Sequence, residues 1–94
     1  MASRSFVLLV ADQRDGDPEA PARLGITVSR RVGGAVVRAR VKRRLREWFR
    51  RHRASFPKGK DVLVIARPTA AELPSTELGR ELENVLSRID RAAR

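Results

Sequence analysis

The stretch from Arg30 to Arg53 reads RRVGGAVVRARVKRRLREWFRRHR, and it contains the helix around which the rest of the chain is arranged. It holds 11 of the chain's 21 Lys and Arg residues within 24 positions, against a single acid, Glu47. Gly33 and Gly34 interrupt the preceding segment, and the pattern after them predicts a helix over residues 35–52. This concentration of positive charge on one element points to a bound polyanion.

The predicted helix has an apolar face and a basic face. At about 100° per residue, six side chains fall in one arc and are expected to face the core: Val37, Val41, Leu45, Trp48, Phe49 and His52. Arg38 and Lys42 border that arc, and arginines cover most of the rest, interrupted by the short side chains of Ala35 and Ala39. Like charges four residues apart cost about 0.2–0.5 kcal/mol each, so their density favours a role in binding.

Two continuous apolar runs predict strands on either side of this helix. Residues 6–11 are interpreted as a strand buried on both faces, and residues 61–66 as a second unbroken apolar strand that is central in the sheet. Between the first run and the helix, residues 24–29 alternate strictly, which predicts a half-buried strand pairing antiparallel with the first. Its polar side, with Gly25 and Thr27, is open either to a neighbouring element or to a ligand.

A second helix is predicted near the C-terminus, with Ser75 or Thr76 as its N-cap. Its apolar stripe has helical spacing and consists of Leu78, Leu82, Val85, Leu86 and Ile89. The order β-β-α-β-α, a hairpin followed by a strand–helix–strand crossover, predicts an α+β fold with a small mixed sheet packed by helices. A length of 94 residues corresponds to one domain, residues 1–94.

The composition excludes several classes of function. The net charge is +10, and the chain has no Cys, which excludes disulfides and thiolate metal sites. No apolar run approaches the ~18 residues of a membrane span, and there is no secretory signal, so the expected location is cytoplasmic and no membrane partner is predicted. His52, the one histidine, lies on the apolar helix face without a titratable neighbour, so a packing role is favoured over a general base. We therefore predict no catalytic residue and no metal ligand in the protein.

The character of the basic surface favours RNA. A helix-turn-helix would need a second helix a short turn away, whereas here a strand precedes the basic helix. The amides that read bases beside arginine are absent from the patch, since Gln13 and Asn84 lie elsewhere. The helix N-terminus, flanked by Arg30 and Arg31, is suited to one phosphate. Together these features indicate binding directed at the backbone and shape of a structured RNA.

The residues in this region also resemble a known family. The strings RLGITVSRRVG (residues 23–33) and AVVRARVKRRLRE (residues 35–47) closely resemble the bacterial ribonuclease P protein subunit. That family shows G-(L/I/F)-x-V-(S/P)-(K/R)-K-x-G-x-A-V-x-R-N-R-x-K-R-x-(L/I)-R-E. The likeness extends over about residues 5–90, and residues 6–8 and 61–67 lie where the family has strands.

The resemblance implies a ribonuclease P protein-like fold, also found in a ribosomal protein domain, with a left-handed crossover where general rules predict a right-handed one. It implies a protein monomer in a 1:1 complex with the ribonuclease P RNA. That RNA removes the 5′ leader from precursor tRNA with bound magnesium, and the protein itself binds no cofactor. By position, the family's RNA-facing motif falls on Arg38, Arg40, Lys42, Arg43 and Arg46, and its basic pair on Arg30 and Arg31.

The sequence departs from the family pattern at two places. Ala39 stands where the family has Asn, which removes a side-chain amide. Family members begin with an extra helix and strand, and that helix helps to wall the cleft for the leader. Only five residues precede Phe6, so the chain is expected to lack this helix, and leader contact is left open. Leu9 lies where some members carry an aromatic residue in the cleft.

Two other functions remain as alternatives. The first is a non-catalytic RNA-packing protein of the ribosomal type, which would have a similar fold. The second is a protein nuclease, which the scarcity of suitably placed carboxylates disfavours. The arginines at the end of the helix, Arg50, Arg51 and Arg53, are predicted to provide only nonspecific attraction.

Overall fold

The computed structural model describes residues 2–13 and 17–92, with side chains through residue 88. In chain order the strands and helices are β1 (Phe6–Asp12), β2 (Arg23–Val28), α1 (Ala35–His52), β3 (Lys60–Ala66) and α2 (Ser75–Ala92). Short 3₁₀ helices at Arg53–Ser55 and Pro68–Glu72 precede β3 and α2. The order β-β-α-β-α and the α+β class are thus confirmed. No helix in the described ranges is long and apolar enough to span a membrane.

Strand β3 occupies the centre of the sheet, as its apolar sequence predicted, and the strand order is β1-β3-β2. It pairs antiparallel with β1, Leu8 opposite Val64, and parallel with β2, Ile26 opposite Val64. The sheet is therefore mixed, and α1 is the crossover between the parallel strands β2 and β3. The left hand of that crossover stays a prediction.

The predicted hairpin between β1 and β2 is wrong, because β3 lies between them. The segment from residue 13 to residue 22 that joins β1 to β2 is much longer than a tight hairpin turn, so it does not hold the two strands together. Strand β3 takes the central position instead, where its backbone groups pair on both sides.

The prediction that β1 is buried on both faces is also wrong. Phe6 and Leu8 are buried against the helices, but Leu9 on the opposite face is 50% exposed. Strand β1 lies at the edge of the sheet, and no helix within the described residues covers its outer face. An apolar run in the sequence does not distinguish a doubly covered strand from an edge strand with an open apolar face.

The core lies between the inner face of the sheet and the two helices. Its largest fully buried side chains include Phe6, Leu8 and Val62 from the sheet, Leu45 from α1 and Leu82 from α2. The six side chains of α1 predicted to face inward are all buried or half-buried. On α2 the predicted stripe is buried from Leu78 through Leu86, while the side chain of Ile89 lies outside the described part.

The turns before the helices fix where each begins. A Cβ on Gly33 would lie 2.8 Å from Cγ1 of Val37, so the entry to α1 requires glycine at this close approach. At the start of α2, the carbonyl of Pro74 accepts a hydrogen bond from the amide of Leu78 at 2.9 Å. Pro74 therefore occupies the N-cap position that the sequence assigned to Ser75 or Thr76.

Candidate nucleic-acid interface

The solvent side of α1 is basic, and it forms because the opposite side of the same helix is held in the core. Val41, Leu45 and Phe49 are buried, so residues offset from them by half a turn point away from the sheet. Arg40, Arg43 and Arg46 are exposed there, whereas Arg38 and Lys42 are half-buried at the border. We call these five residues the motif face.

Arg30 and Arg31 lie on the turn that leads into α1. The amide of Val32 donates a hydrogen bond to the carbonyl of Ser29 at 3.1 Å, and the Val32 side chain is buried. The turn is therefore anchored while both arginines are exposed. They extend the positive surface beyond the helix N-terminus, a position that itself favours anions.

The motif face carries uncompensated charge. Over residues 2–13 and 17–88, no carboxylate forms an ion pair with any of the five motif-face residues or with Arg30 and Arg31. Glu47, the one acid on α1, instead contacts Arg50 at 2.6 Å and Arg51 at 3.2 Å. The hydrogen bond from Arg50 lowers the pKa of Glu47. The acid thus offsets charge on the last turns of the helix and leaves the motif face positive.

Arg38 is held more firmly than its exposed neighbours. Its Nε atom is buried and has no hydrogen-bond partner in the part of the chain that the structure describes. The side-chain stem therefore passes along the edge of the core before the guanidinium reaches the surface. A guanidinium positioned in this way loses less conformational entropy on binding a phosphate than a fully solvated one.

Arg44 belongs to the structure of the protein rather than to this surface. Its Nη2 donates a hydrogen bond to the carbonyl of Leu73, in the segment that leads into α2. Burial, and to a lesser extent the charge of Arg40, lower the pKa of Arg44. The sequence pattern grouped Arg44 with the basic surface. The one signal for a structural role was its position beside the apolar arc on the helical wheel.

Replacing Arg44 by methionine tests this division. The R44M variant keeps an unbranched apolar stem but leaves the Leu73 carbonyl without its charged donor, so we expect it to lose about 1–2 kcal/mol of unfolding free energy. Its RNA affinity should fall less than about threefold, because charges without a phosphate contact are screened. R43M should show the reverse, roughly a tenfold loss of affinity with little change in stability. Urea unfolding measures the stability of each variant and filter binding measures its RNA affinity. Equal affinity losses for R44M and R43M would mean that Arg44 also contacts the RNA.

His52 packs between the two helices. Its ring stacks on Trp48 with centroids 4.3 Å apart, its Nδ1 lies 2.8 Å from the Trp48 carbonyl oxygen, and its Nε2 lies 3.6 Å from Oε1 of Glu83. The stacking on Trp48 gives His52 the packing role expected from the sequence. The expectation that it has no titratable neighbour is wrong, because Glu83 comes from α2, a distant part of the chain. The described residues contain no group of three or more His, Asp or Glu side chains that could hold a metal ion.

The outer face of the sheet forms a separate, largely apolar surface. A groove of about 530 Å³ runs over Leu9, Gly25 and Leu63. Arg23 closes one end by an ion pair with Asp61, Nε to Oδ1 at 2.7 Å. The sequence left open whether the polar side of β2 faces a neighbouring element or a ligand. In the described structure no element packs there, so this side of the strand is accessible to a ligand.

Comparison with known proteins gives one consistent family. The family model for ribonuclease P matches residues 1–90. Relatives named ribonuclease P protein component include those of a Nocardioides species, 49% identical over 79% of this chain and 65% of the relative, and Streptomyces griseus, 42% identical over 87% and 73%. Against Thermobifida fusca the match is 46% identical and covers 53% of the relative. The chain thus spans between 53% and 73% of the length of these three relatives.

Solved structures agree with the sequence relatives. The Staphylococcus aureus RNase P protein superposes with a TM-score of 0.82 at 36% identity, covering 95% of this chain and 78% of that one. The Thermotoga maritima RNase P protein gives 0.82 at 34% identity, covering 94% and 80%. Likeness at this level of identity extends to the arrangement of sheet and helices described above.

Proposed function

The chain belongs to the ribonuclease P protein family, and on that premise we propose that it binds the catalytic RNA of ribonuclease P and assists removal of the 5′ leader from precursor tRNA. The observation that carries the proposal is the motif face, a set of arginines and one lysine on α1 that have no carboxylate partner among the described residues. The protein is proposed to act in the cytoplasm, as one copy per RNA.

In this proposal the motif face contacts RNA phosphates. Guanidinium groups bind phosphate oxygens with two parallel hydrogen bonds, which fixes orientation as well as charge. Ala39 leaves a short side chain among these residues, so an RNA strand can approach the helix backbone. Arg30 and Arg31 would hold the same RNA at the helix N-terminus.

The protein's contribution to the reaction is electrostatic and positional. Magnesium ions would be held by the RNA and not by this chain, and there they would supply an activated water and stabilise the leaving oxygen. The side chains that the structure describes include no cluster suited to such ions, and we assign the chain no proton-transfer or metal-binding step. Its cations reduce repulsion between RNA strands, which lowers the magnesium concentration needed for assembly.

We propose that the precursor's leader passes over the outer face of the sheet. The groove there has an apolar floor and a glycine, Gly25, on β2, which suits an extended strand of ribose and base surface. Leu9 is half exposed in this groove, and it offers apolar contact but no stacking of the kind that aromatic residues give. Leader affinity is therefore expected to depend little on the identity of the base next to Leu9.

Salt dependence tests whether the motif face binds RNA. Five to seven neutralised phosphates correspond to a slope of log K against log salt of magnitude roughly 4–6, at ~0.9 per contact. We expect this slope for the catalytic RNA in filter-binding titrations. A slope near zero would mean that the basic face is only solvated.

The ribosomal-type alternative makes a different prediction about the RNA partner. A ribonuclease P subunit should co-purify from cells with one large non-ribosomal RNA, identified by sequencing the bound RNA. An RNA-packing protein of the ribosome should instead sediment with ribosomal subunits. Recovery with ribosomes alone would reject the ribonuclease P function for this chain.

A further inference from the structure

A second basic surface lies at the far end of α1. A groove of about 480 Å³ opens between the last turns of the helix, the 3₁₀ turn after it, and the segment before β2. We call it the α1-end groove. Its rim carries Arg50, Arg51, Arg53 and Lys58, and Phe56 lies buried beneath it.

The wall opposite the helix is firmly built. The side chain of Gln13 is buried, and its Nε2 donates hydrogen bonds to the carbonyl of Pro21 at 2.9 Å and to that of Lys60 at 3.1 Å. The amide of Gly59 donates to the carbonyl of Ala20 at 2.7 Å. Gly59 has φ of +74°, and a Cβ there would lie 2.9 Å from the Cα of Pro18. The groove is therefore preformed.

The charge of the groove is positive and only partly offset. Among the described residues that line it, Glu19 is the one acid, and its carboxylate lies 3.8 Å from Nζ of Lys58. Arg50 and Arg51 share Glu47, whereas Arg53 has no ion-pair partner within residues 2–13 and 17–88. The four rim cations outnumber the two acids beside them, Glu19 and Glu47, and they surround an apolar base. This arrangement is complementary to a ribose–phosphate strand, with phosphates at the rim and a ribose at the floor.

We propose that the α1-end groove is a second RNA contact, separate from the motif face, that binds a ribose–phosphate segment. The inference rests on the proposed function, since the strand belongs to the catalytic RNA or to the precursor tRNA. Arg43 and Arg53 are ten residues apart on α1 and its continuation, about 15 Å along the axis at ~1.5 Å per residue. One phosphate cannot serve both. The groove thus assigns Arg53 and Lys58 a specific contact rather than nonspecific attraction.

A tethered cleavage probe distinguishes the two contacts and the two RNAs. The chain has no Cys, so Ala54→Cys in the groove and Ala39→Cys in the motif face each provide a unique attachment point for a hydroxyl-radical-generating iron chelate. Asn84→Cys, exposed on α2, gives the background. The complex is assembled with the catalytic RNA and precursor tRNA, each labelled in a separate reaction.

We expect the probe at residue 54 to cut one RNA at nucleotides that the probe at residue 39 does not cut, and the labelled strand identifies the source. If the probe at residue 39 cuts clearly and the probe at residue 54 cuts only at background level, the α1-end groove is not an RNA contact, and the proposed function still stands. Cuts identical to those from residue 39 would also overturn a separate contact. Cutting at background level from both positions would also contradict the RNA contact proposed for the motif face.

Charge removal gives an independent readout. We expect R53Q/K58Q to weaken RNA binding roughly tenfold and to reduce the salt slope by about 1–2, at ~0.7–0.9 per lost phosphate contact. The matched control R80Q/R88Q removes two exposed arginines from α2, one of them hydrogen-bonded to the carbonyl of Ala2. It should leave the slope unchanged. Equal slopes for the two double variants would reject the groove contact.

Discussion

Reversing two charges of the motif face, in the variant R40E/R43E, is expected to weaken binding of the catalytic RNA by roughly 10³-fold at 0.1 M salt. Each phosphate contact contributes nearly tenfold at this salt concentration, given a slope of ~0.9. Reversal replaces that attraction with a repulsion of similar size. Arg40 and Arg43 are both exposed and lack carboxylate partners among the described residues, so no protein contact absorbs the change.

The fold should survive this change. Arg40 is one cause of the lowered pKa of Arg44, so an acid at position 40 relieves a repulsion instead of breaking a contact. Circular dichroism and thermal unfolding should match the wild type. The control R80E/R88E changes the net charge equally on α2, and its affinity should fall far less. If both variants lose affinity to the same extent, net charge and not the motif face governs binding.

The largest stability effect is expected at the opposite side of the same helix. Leu45 is 2% exposed and lies in the centre of the core cluster, so L45A should cost about 2–5 kcal/mol of unfolding free energy through lost burial and the cavity that remains. Urea denaturation measures it directly. A marginal domain of this size could lose most of its stability.

Val36 supplies the matched control on the same helix. Its side chain is 74% exposed, so V36A should change the unfolding free energy by no more than about 0.5 kcal/mol. Similar, small effects for L45A and V36A would mean that α1 does not pack on the sheet as described. The division of α1 into a side that packs in the core and a side proposed to bind RNA would then be wrong.

The helices could be predicted closely because their signals are local. The bounds of α1 at residues 35–52 follow from the glycine pair and the 3.6-residue spacing of Val41, Leu45 and Phe49. The neighbours of each strand could not be predicted in the same way. Strand pairing depends on which segment takes the central position, and the long connection from residue 13 to residue 22 allows β3 to lie between β1 and β2.

Exposure of Leu9 could not be predicted for a similar reason. Periodicity distinguishes the two faces of a strand, but whether an apolar face is covered depends on elements distant in the chain.

The motif face was predictable in position but not in every role. The helical wheel placed Arg40, Arg43 and Arg46 outward, and the structure agrees. The contact of Arg44 with Leu73 depends on a segment 29 residues away, for which the local sequence carries no signal. Burial of the Arg38 Nε likewise depends on packing. The identity of the RNA partner came from the resemblance, because charge alone indicates only a polyanion.

Precursor-tRNA processing by the catalytic RNA at low magnesium, with and without the protein, is the most direct test. The protein alone should cleave nothing, and adding it to the RNA should increase the rate of 5′ leader removal, whereas R40E/R43E should not. A rate that is unchanged by the wild-type protein, or cleavage by RNA-free protein, would contradict the proposed function.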